Sequence, residues 1–182
     1  KEAAKEAHFD FWPSPYEPQP KLSGITGQAR LFDTELFYLD NRWNRTDPDR
    51  PTIEETILGR DQLDWFIESL VFSKAPFKLV MIGGQVLSDY AAYENYARYE
   101  EERQEIIDRI DAEGIEGVIF LTGDRHNSEL SAVELSDGRK LLDLTCSPLT
   151  STSYDHLAEP NNNRVEGTHY GERNFGLLHF EG

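Results

Sequence analysis

Val118-Ile119-Phe120-Leu121-Thr122-Gly123-Asp124-Arg125-His126 is the stretch on which the fold turns. Four apolar residues in a row predict a buried strand rather than a half-solvated one. The polar cluster after them then sits at the strand's carboxyl end, where open α/β sheets bind ligands. Asp124 and His126 stand two residues apart in a turn, so both side chains can enter one cavity. A carboxylate with an imidazole suits zinc, iron or manganese, and Gly123 lets the backbone come close. Taken alone, the segment has a plainer reading, an Asp capping a turn beside a surface His, because short motifs often arise by chance.

The pattern repeats upstream. Leu36-Phe37-Tyr38-Leu39 predicts another strand buried on both faces, within a hairpin over 27–33 and 35–40, and Asp40-Asn41-Arg42 closes it. Asp40 can hold a metal or orient a ligand there. Arg42 and Arg45 can grip phosphate oxygens in bidentate fashion. The alternative is a simple Asp–Arg pair at a strand end. A third apolar run, 77–82, ends at Gly83-Gly84-Gln85. Paired glycines favour close approach to a ligand, and Gln85 can hydrogen-bond it; an ordinary strand-to-loop turn is the other reading. If the three strands are parallel, all three clusters share one edge, and that coincidence outweighs any single motif.

Between the strands lie two helices. Leu63, Phe66, Ile67, Leu70 and Val71 form one apolar stripe, stopped by Pro76. Tyr99, Arg103, Ile106, Ile107 and Ile110 mark a second helix, with Gly114 as its C-cap. Residues 1–9 are good helix formers, whereas Pro13, Pro15, Pro18 and Pro20 forbid regular structure after them. Asp137-Gly138 predicts a hairpin turn between 131–135 and 140–145, and 175–180 reads as a final strand. Strand, helix, strand, helix, strand implies a layered α/β domain. Several other residues read as structural. Glu100-Glu101-Glu102 is a solvated helix face, the tyrosines at 90, 93, 96 and 99 pack, His179 belongs to the last strand, and Cys146 is a small buried residue. His169, near Tyr170 and Arg173, is a weak candidate for a site rim.

The 182 residues suffice for one domain with a core. Thirty-four acidic against 18 basic residues give a net charge of −16, a field that disfavours nucleic acid and anionic membrane. The same field repels a phosphate ester, so a phosphate site needs local positive charge from arginines or metal ions. One cysteine excludes an internal disulfide, and no apolar run approaches the roughly 20 residues of a membrane span. Nothing in the sequence sets an oligomeric state. The opening Lys1-Glu2-Ala3-Ala4-Lys5 reads like mid-helix, so a fragment is expected.

In order and spacing, Phe37-Tyr38-Leu39-Asp40-Asn41-Arg42, Leu58-Gly59-Arg60-Asp61-Gln62-Leu63-Asp64-Trp65, Gly83-Gly84-Gln85-Val86 and Phe120-Leu121-Thr122-Gly123-Asp124-Arg125-His126 resemble the C-terminal half of the alkaline phosphatase D family of metallophosphoesterases. The resemblance implies the C-terminal portion, residues 1–182, of a single α/β (α+β) domain, part of an α/β/β/α sandwich with mixed sheets. It implies hydrolysis of phosphate mono- or diesters with iron, calcium, or zinc or manganese ions, and export from the cytoplasm. By it Asp124 and His126 match late metal ligands, Asp40 and Arg42 are catalytic, and Asn41 and Gln85 face substrate; Gln85 stands where related enzymes carry a metal-binding His. The family's earlier metal motifs have no counterpart here, so the chain alone is expected to be inactive and to hold metal weakly or not at all. Two other classes stay open: a binding module that kept the fold without the chemistry, and a metal-free serine hydrolase. The Asp-x-His spacing and the lack of a Gly-Asp-Ser segment count against the latter.

Overall fold

The computed structural model describes residues 1–12, 17–19, 21–50 and 53–180. Along the chain run α1 (Glu2–Phe11), β1 (Glu17–Pro18), β2 (Gly27–Leu31), β3 (Thr34–Tyr38), α2 (Arg60–Phe72), β4 (Phe77–Met81), a short 3-10 turn (Tyr96–Arg98), α3 (Glu100–Ala112), β5 (Val118–Thr122), β6 (Glu129–Glu134) and β7 (Lys140–Thr145). The strands make one mixed sheet in the order β1-β2-β3-β4-β5-β7-β6. β3, β4, β5 and β7 are mutually parallel. β1 and β2 flank them antiparallel on one side, and β6 on the other. The chain is thus mixed α/β, and its described residues form one sheet.

Register fixes what each face carries. Phe37, Val80, Phe120 and Asp143 lie side by side in one row. The three apolar members join one core with Leu63, Phe66, Ile67 and Leu70 of α2 and Ile106, Ile107 and Ile110 of α3, and the Phe37 and Phe66 rings meet edge to face at 6.1 Å. Burying each such side chain stabilises by about 1.5–3 kcal/mol, so these two helices hold that face. The opposite row of Leu36, Leu79, Ile119 and Leu142 is apolar too. There α1 buries none of its own residues and, with Tyr38, Met81 and Leu121, lines an open cavity of about 540 Å³.

Several expectations need correction. Val71 is 39% exposed, and Gln62 takes the buried place on α2 instead. Glu102 is not solvated: its carboxylate accepts from the Ile57 and Leu58 amides at 3.1 and 2.8 Å and from the Tyr96 hydroxyl, an anion held by the loop ahead of α2. Tyr96 and Tyr99 pack as expected, but Tyr93 is exposed. Residues 175–180 form no strand, Phe175 and Leu177 are largely exposed, and His179 is exposed with them. Apolar character alone does not make a strand, and this segment pairs with none of the described strands. Cys146 is only partly buried. Pro18 does enter a strand, pairing with Gly27 at the sheet's outer edge, where a residue without an N–H is tolerated. Pro13, Pro15 and Pro20 lie outside the described residues. Gly114 caps α3 with φ +61. Its N–H donates to the Asp111 carbonyl and that of Ile115 to Ile110, the paired bonds of a Schellman ending.

Candidate functional site

Because β3, β4, β5 and β7 run parallel, the segments after them emerge at one edge. They also touch. A Cβ on Gly83 would stand 3.0 Å from the Asn41 side chain, and one on Gly123 would stand 3.9 Å from both the Gly83 and Cys146 carbonyl oxygens. Four backbones therefore converge where three of the strand-end clusters were placed by sequence.

The segment after β5 departs from regular geometry at both candidate ligands: Asp124 has φ +66 and His126 φ +61. Left-handed backbone at two non-glycine residues is costly and concentrates at functional sites. The turn is held by its backbone. The His126 N–H donates to Ser147 Oγ at 2.9 Å, and the His126 carbonyl accepts from the Tyr154 amide. The His126 ring stacks on Tyr154 at 5.3 Å, and its Nδ1 bonds the Thr152 carbonyl. A carbonyl can only accept, so Nδ1 donates in this bond and Nε2 is the ring nitrogen left for a ligand. Asp124 is exposed, and among the described residues no hydrogen bond or ion pair engages its carboxylate.

Asp40 is the opposite case. It is 8% exposed, and its carboxylate accepts from the amides of Arg42 and Trp43, both at 2.8 Å, and of Ile25 at 3.0 Å. Gly24 makes the third contact feasible: its φ is +80, and a Cβ there would fall 2.2 Å from Asp40 Oδ2. Gln62 of α2 clamps the Asp40 backbone from beneath, accepting from its N–H at 2.8 Å and donating to its carbonyl at 2.9 Å. Asp40 thus shapes the turn that aims Asn41 and Arg42. Asn41 lies over Gly83, its amide free of hydrogen bonds to the described residues.

Arg42 and Arg45 share one anion. Arg42 Nη1 is 2.5 Å from Glu94 Oε2 and Arg45 Nη2 is 2.9 Å from Glu94 Oε1. The Arg45 hydrogen bond, with Arg42's charge behind it, holds the Glu94 carboxyl below its ordinary range. The same bond raises Arg45, and Asp124 adds a smaller Coulombic pull in that direction, which ties the arginine pair electrostatically to the β5 segment. A second tie is the Arg125 guanidinium, 5.0 Å over the Tyr93 ring. Side-chain exposures of 59% and 44% for Arg42 and Glu94 put such a pair at about 0–1 kcal/mol, so it orients the arginines without locking them.

Gln85 turns inward, not toward the rim. It is 2% exposed and donates to Glu129 at 2.7 Å and to Thr145 at 2.9 Å. Burial alone would raise Glu129, but bonds from Gln85, Arg164 and Asn161 outweigh it and hold the carboxyl below its ordinary range. Beside it Asp143, fully buried, accepts from the Val86 and Leu87 amides and from Thr122 Oγ1, at 2.7, 2.9 and 2.7 Å. Burial raises its carboxyl despite those donors. This polar network anchors the loop after Gly84 from below. His169, expected near a rim, is 3.7 Å from Asp155, with an 8% exposed side chain.

Sequence reasoning passed over Glu94, Gln62, Asp143 and Thr152. Gln62 carries a signal in hindsight, a polar residue one position before an apolar stripe. The others act through tertiary placement. Among the described residues no three His, Cys, Asp or Glu side chains converge as a ligand set. As donor types, one carboxylate and one imidazole with its far nitrogen already bonded, Asp124 and His126 suit two places in a larger metal shell.

No curated protein matches the sequence. The solved structure of PhoD superposes with a TM-score of 0.75 at 18% identity, covering 95% of this chain and 40% of that one; the chain thus spans about two-fifths of PhoD's length. The likeness shows the shared fold. The family described as PhoD-like phosphatase matches residues 1–176. With nearly its whole length inside that match, the chain belongs to the PhoD-like phosphatase family.

Proposed function

We propose that the chain supplies the C-terminal part of a metal-dependent phosphoester hydrolase acting on phosphate mono- or diesters outside the cytoplasm. The carrying observation is the β5 turn, where a carboxylate with no hydrogen bond or ion pair among the described residues and an imidazole with its Nδ1 tied back stand on strained backbone at the converging strand ends. Asp124 and His126 would hold an iron, calcium, zinc or manganese ion together with residues outside this chain. Such an ion, when bound, polarises phosphoryl oxygens and supplies hydroxide at neutral pH.

The remaining steps belong to this chain's own side chains. Arg42 and Arg45 offer forked donors to phosphoryl oxygens, and Asn41 offers an amide beside them. Asp40 acts as a positioning residue, because three amides of its own turn and the neighbouring loop already engage its oxygens and it is almost wholly buried. Gln85 acts likewise, from beneath.

The test uses the full-length protein. Chelation should stop hydrolysis of an aryl phosphate and metal should restore it, while Asp124→Ala should leave no metal-dependent turnover. Unchanged turnover in Asp124→Ala, or indifference to chelation, contradicts the reading. The 182-residue chain by itself should show no appreciable turnover.

A further inference from the structure

Glu94 has no part in the hydrolytic machinery just described, yet it sits on both arginines. Each carboxylate oxygen meets a different guanidinium, Oε2 that of Arg42 and Oε1 that of Arg45. A tetrahedral phosphate dianion bridging two arginines presents two of its oxygens in the same way. The surrounding loop keeps Glu94 in place. Tyr93 just before it holds φ +54 with the Arg125 guanidinium over its ring. Asn95 just after it caps the 3-10 turn, its side chain accepting from the Ala97 amide at 2.8 Å, and the Tyr96 amide donates to the Gln85 carbonyl. The Glu94 carbonyl itself would lie 3.6 Å from a Cβ on Gly84. Backbone on both sides is thus tied to the end of β4, while the carboxylate is 44% exposed and free to swing into water.

We propose that Glu94 is a resident anion of the arginine pair, a side chain that occupies the place of a phosphate group and must leave for one to bind. The inference rests on reading Arg42 and Arg45 as the phosphate grip. Its consequence is specific: the carboxylate keeps both guanidiniums aimed at one point by offsetting the repulsion between two like charges, and it weakens the hold on inorganic phosphate, the product of monoester hydrolysis. A dianion competes against one carboxylate, so a phosphate dianion displaces Glu94 more readily than a monoanionic diester does.

The test is a titration of the chain with inorganic phosphate, read by 31P line width in chelator so that the arginines alone are seen. Wild type is compared with Glu94→Gln and with the double variant Arg42→Ala/Arg45→Ala. Glu94→Gln keeps shape and removes charge; it should tighten phosphate about five-fold, the worth of one exposed pair, and the double variant should bind none. Equal or weaker binding in Glu94→Gln, with arginine-dependent binding in wild type, overturns the resident-anion proposal and leaves the arginine reading standing. Phosphate binding that survives the double variant, or that is absent even in Glu94→Gln, overturns the arginine reading and the proposal together. Thermal midpoints of the variants, expected within a few degrees of wild type because Arg42 and Glu94 are exposed and Arg45 is half-buried, separate these outcomes from misfolding.

Discussion

Asp40 follows β3 and Asp124 follows β5, two strands apart in the parallel part of one mixed sheet, and the environments of the two carboxylates are opposites. Asp40 lies under three backbone N–H groups and is almost wholly buried. Asp124 is exposed on left-handed backbone, and no hydrogen bond or ion pair among the described residues engages its oxygens. Position at the carboxyl edge locates both near the site. What separates their roles is the local supply of donors: an anion already solvated by amides is scaffold, and one held out at the cost of backbone strain is available to a ligand.

Replacing the scaffold aspartate should do the most damage to the fold. Asp40→Ala leaves three amides without an acceptor in a mostly buried turn, and we expect a loss of about 2–4 kcal/mol in urea unfolding. A loss below about 0.5 kcal/mol would equate Asp40 with a surface residue and break the comparison. Next comes the clamp beneath it. Gln62→Ala strips both backbone partners from Asp40 and should cost about 1–3 kcal/mol, with the amide resonances of residues 40–43 moving most.

A third aspartate sharpens the contrast. Asp143 is buried like Asp40, but burial raises its carboxyl above the ordinary 3.8. A raised folded value means that the group's contribution to stability is complete below the unfolded value and is lost as pH rises through the folded one. Asp143→Asn keeps an acceptor for the Val86 and Leu87 amides and removes that dependence. The stability of wild type relative to Asp143→Asn should therefore fall as pH climbs above 3.8; parallel urea-midpoint profiles would mean that burial does not govern this carboxylate. The smallest effect is expected at Asp124. Asp124→Gly relieves left-handed strain and should hold or raise stability by about 0.5–1 kcal/mol, whereas a loss of more than 1 kcal/mol would make Asp124 a structural residue like Asp40.

Much of this architecture was legible in the sequence because it is repetitive. The runs ending at Leu39, Ile82 and Leu121 read as strands, although the face carrying Leu36, Ile119 and Leu121 is only half-buried; the 3.6-residue stripes read as helices, and the Asp137-Gly138 turn placed its hairpin. Parallel pairing, which brings the three clusters to one edge, stood in the sequence only as a condition, and the structure meets it. Roles within the clusters did not follow. Whether an aspartate is solvated by Ile25 and Trp43 amides, whether Gln85 turns toward Glu129, and whether Glu94 reaches Arg42 from some fifty residues away all depend on tertiary contacts with no local periodicity. The misread tail has a similar cause, since 175–180 alternates like a strand yet pairs with none.

The most direct test of the central claim is the metal content of the full-length protein carrying Asp124→Asn. Asn tolerates left-handed backbone nearly as well as Asp, so the substitution removes the free carboxylate charge and little else. We expect a folded protein whose thermal midpoint in chelator matches wild type, with less bound metal than wild type and no turnover of an aryl phosphate when metal is supplied. A folded Asp124→Asn protein with the wild-type complement of metal would contradict the claim.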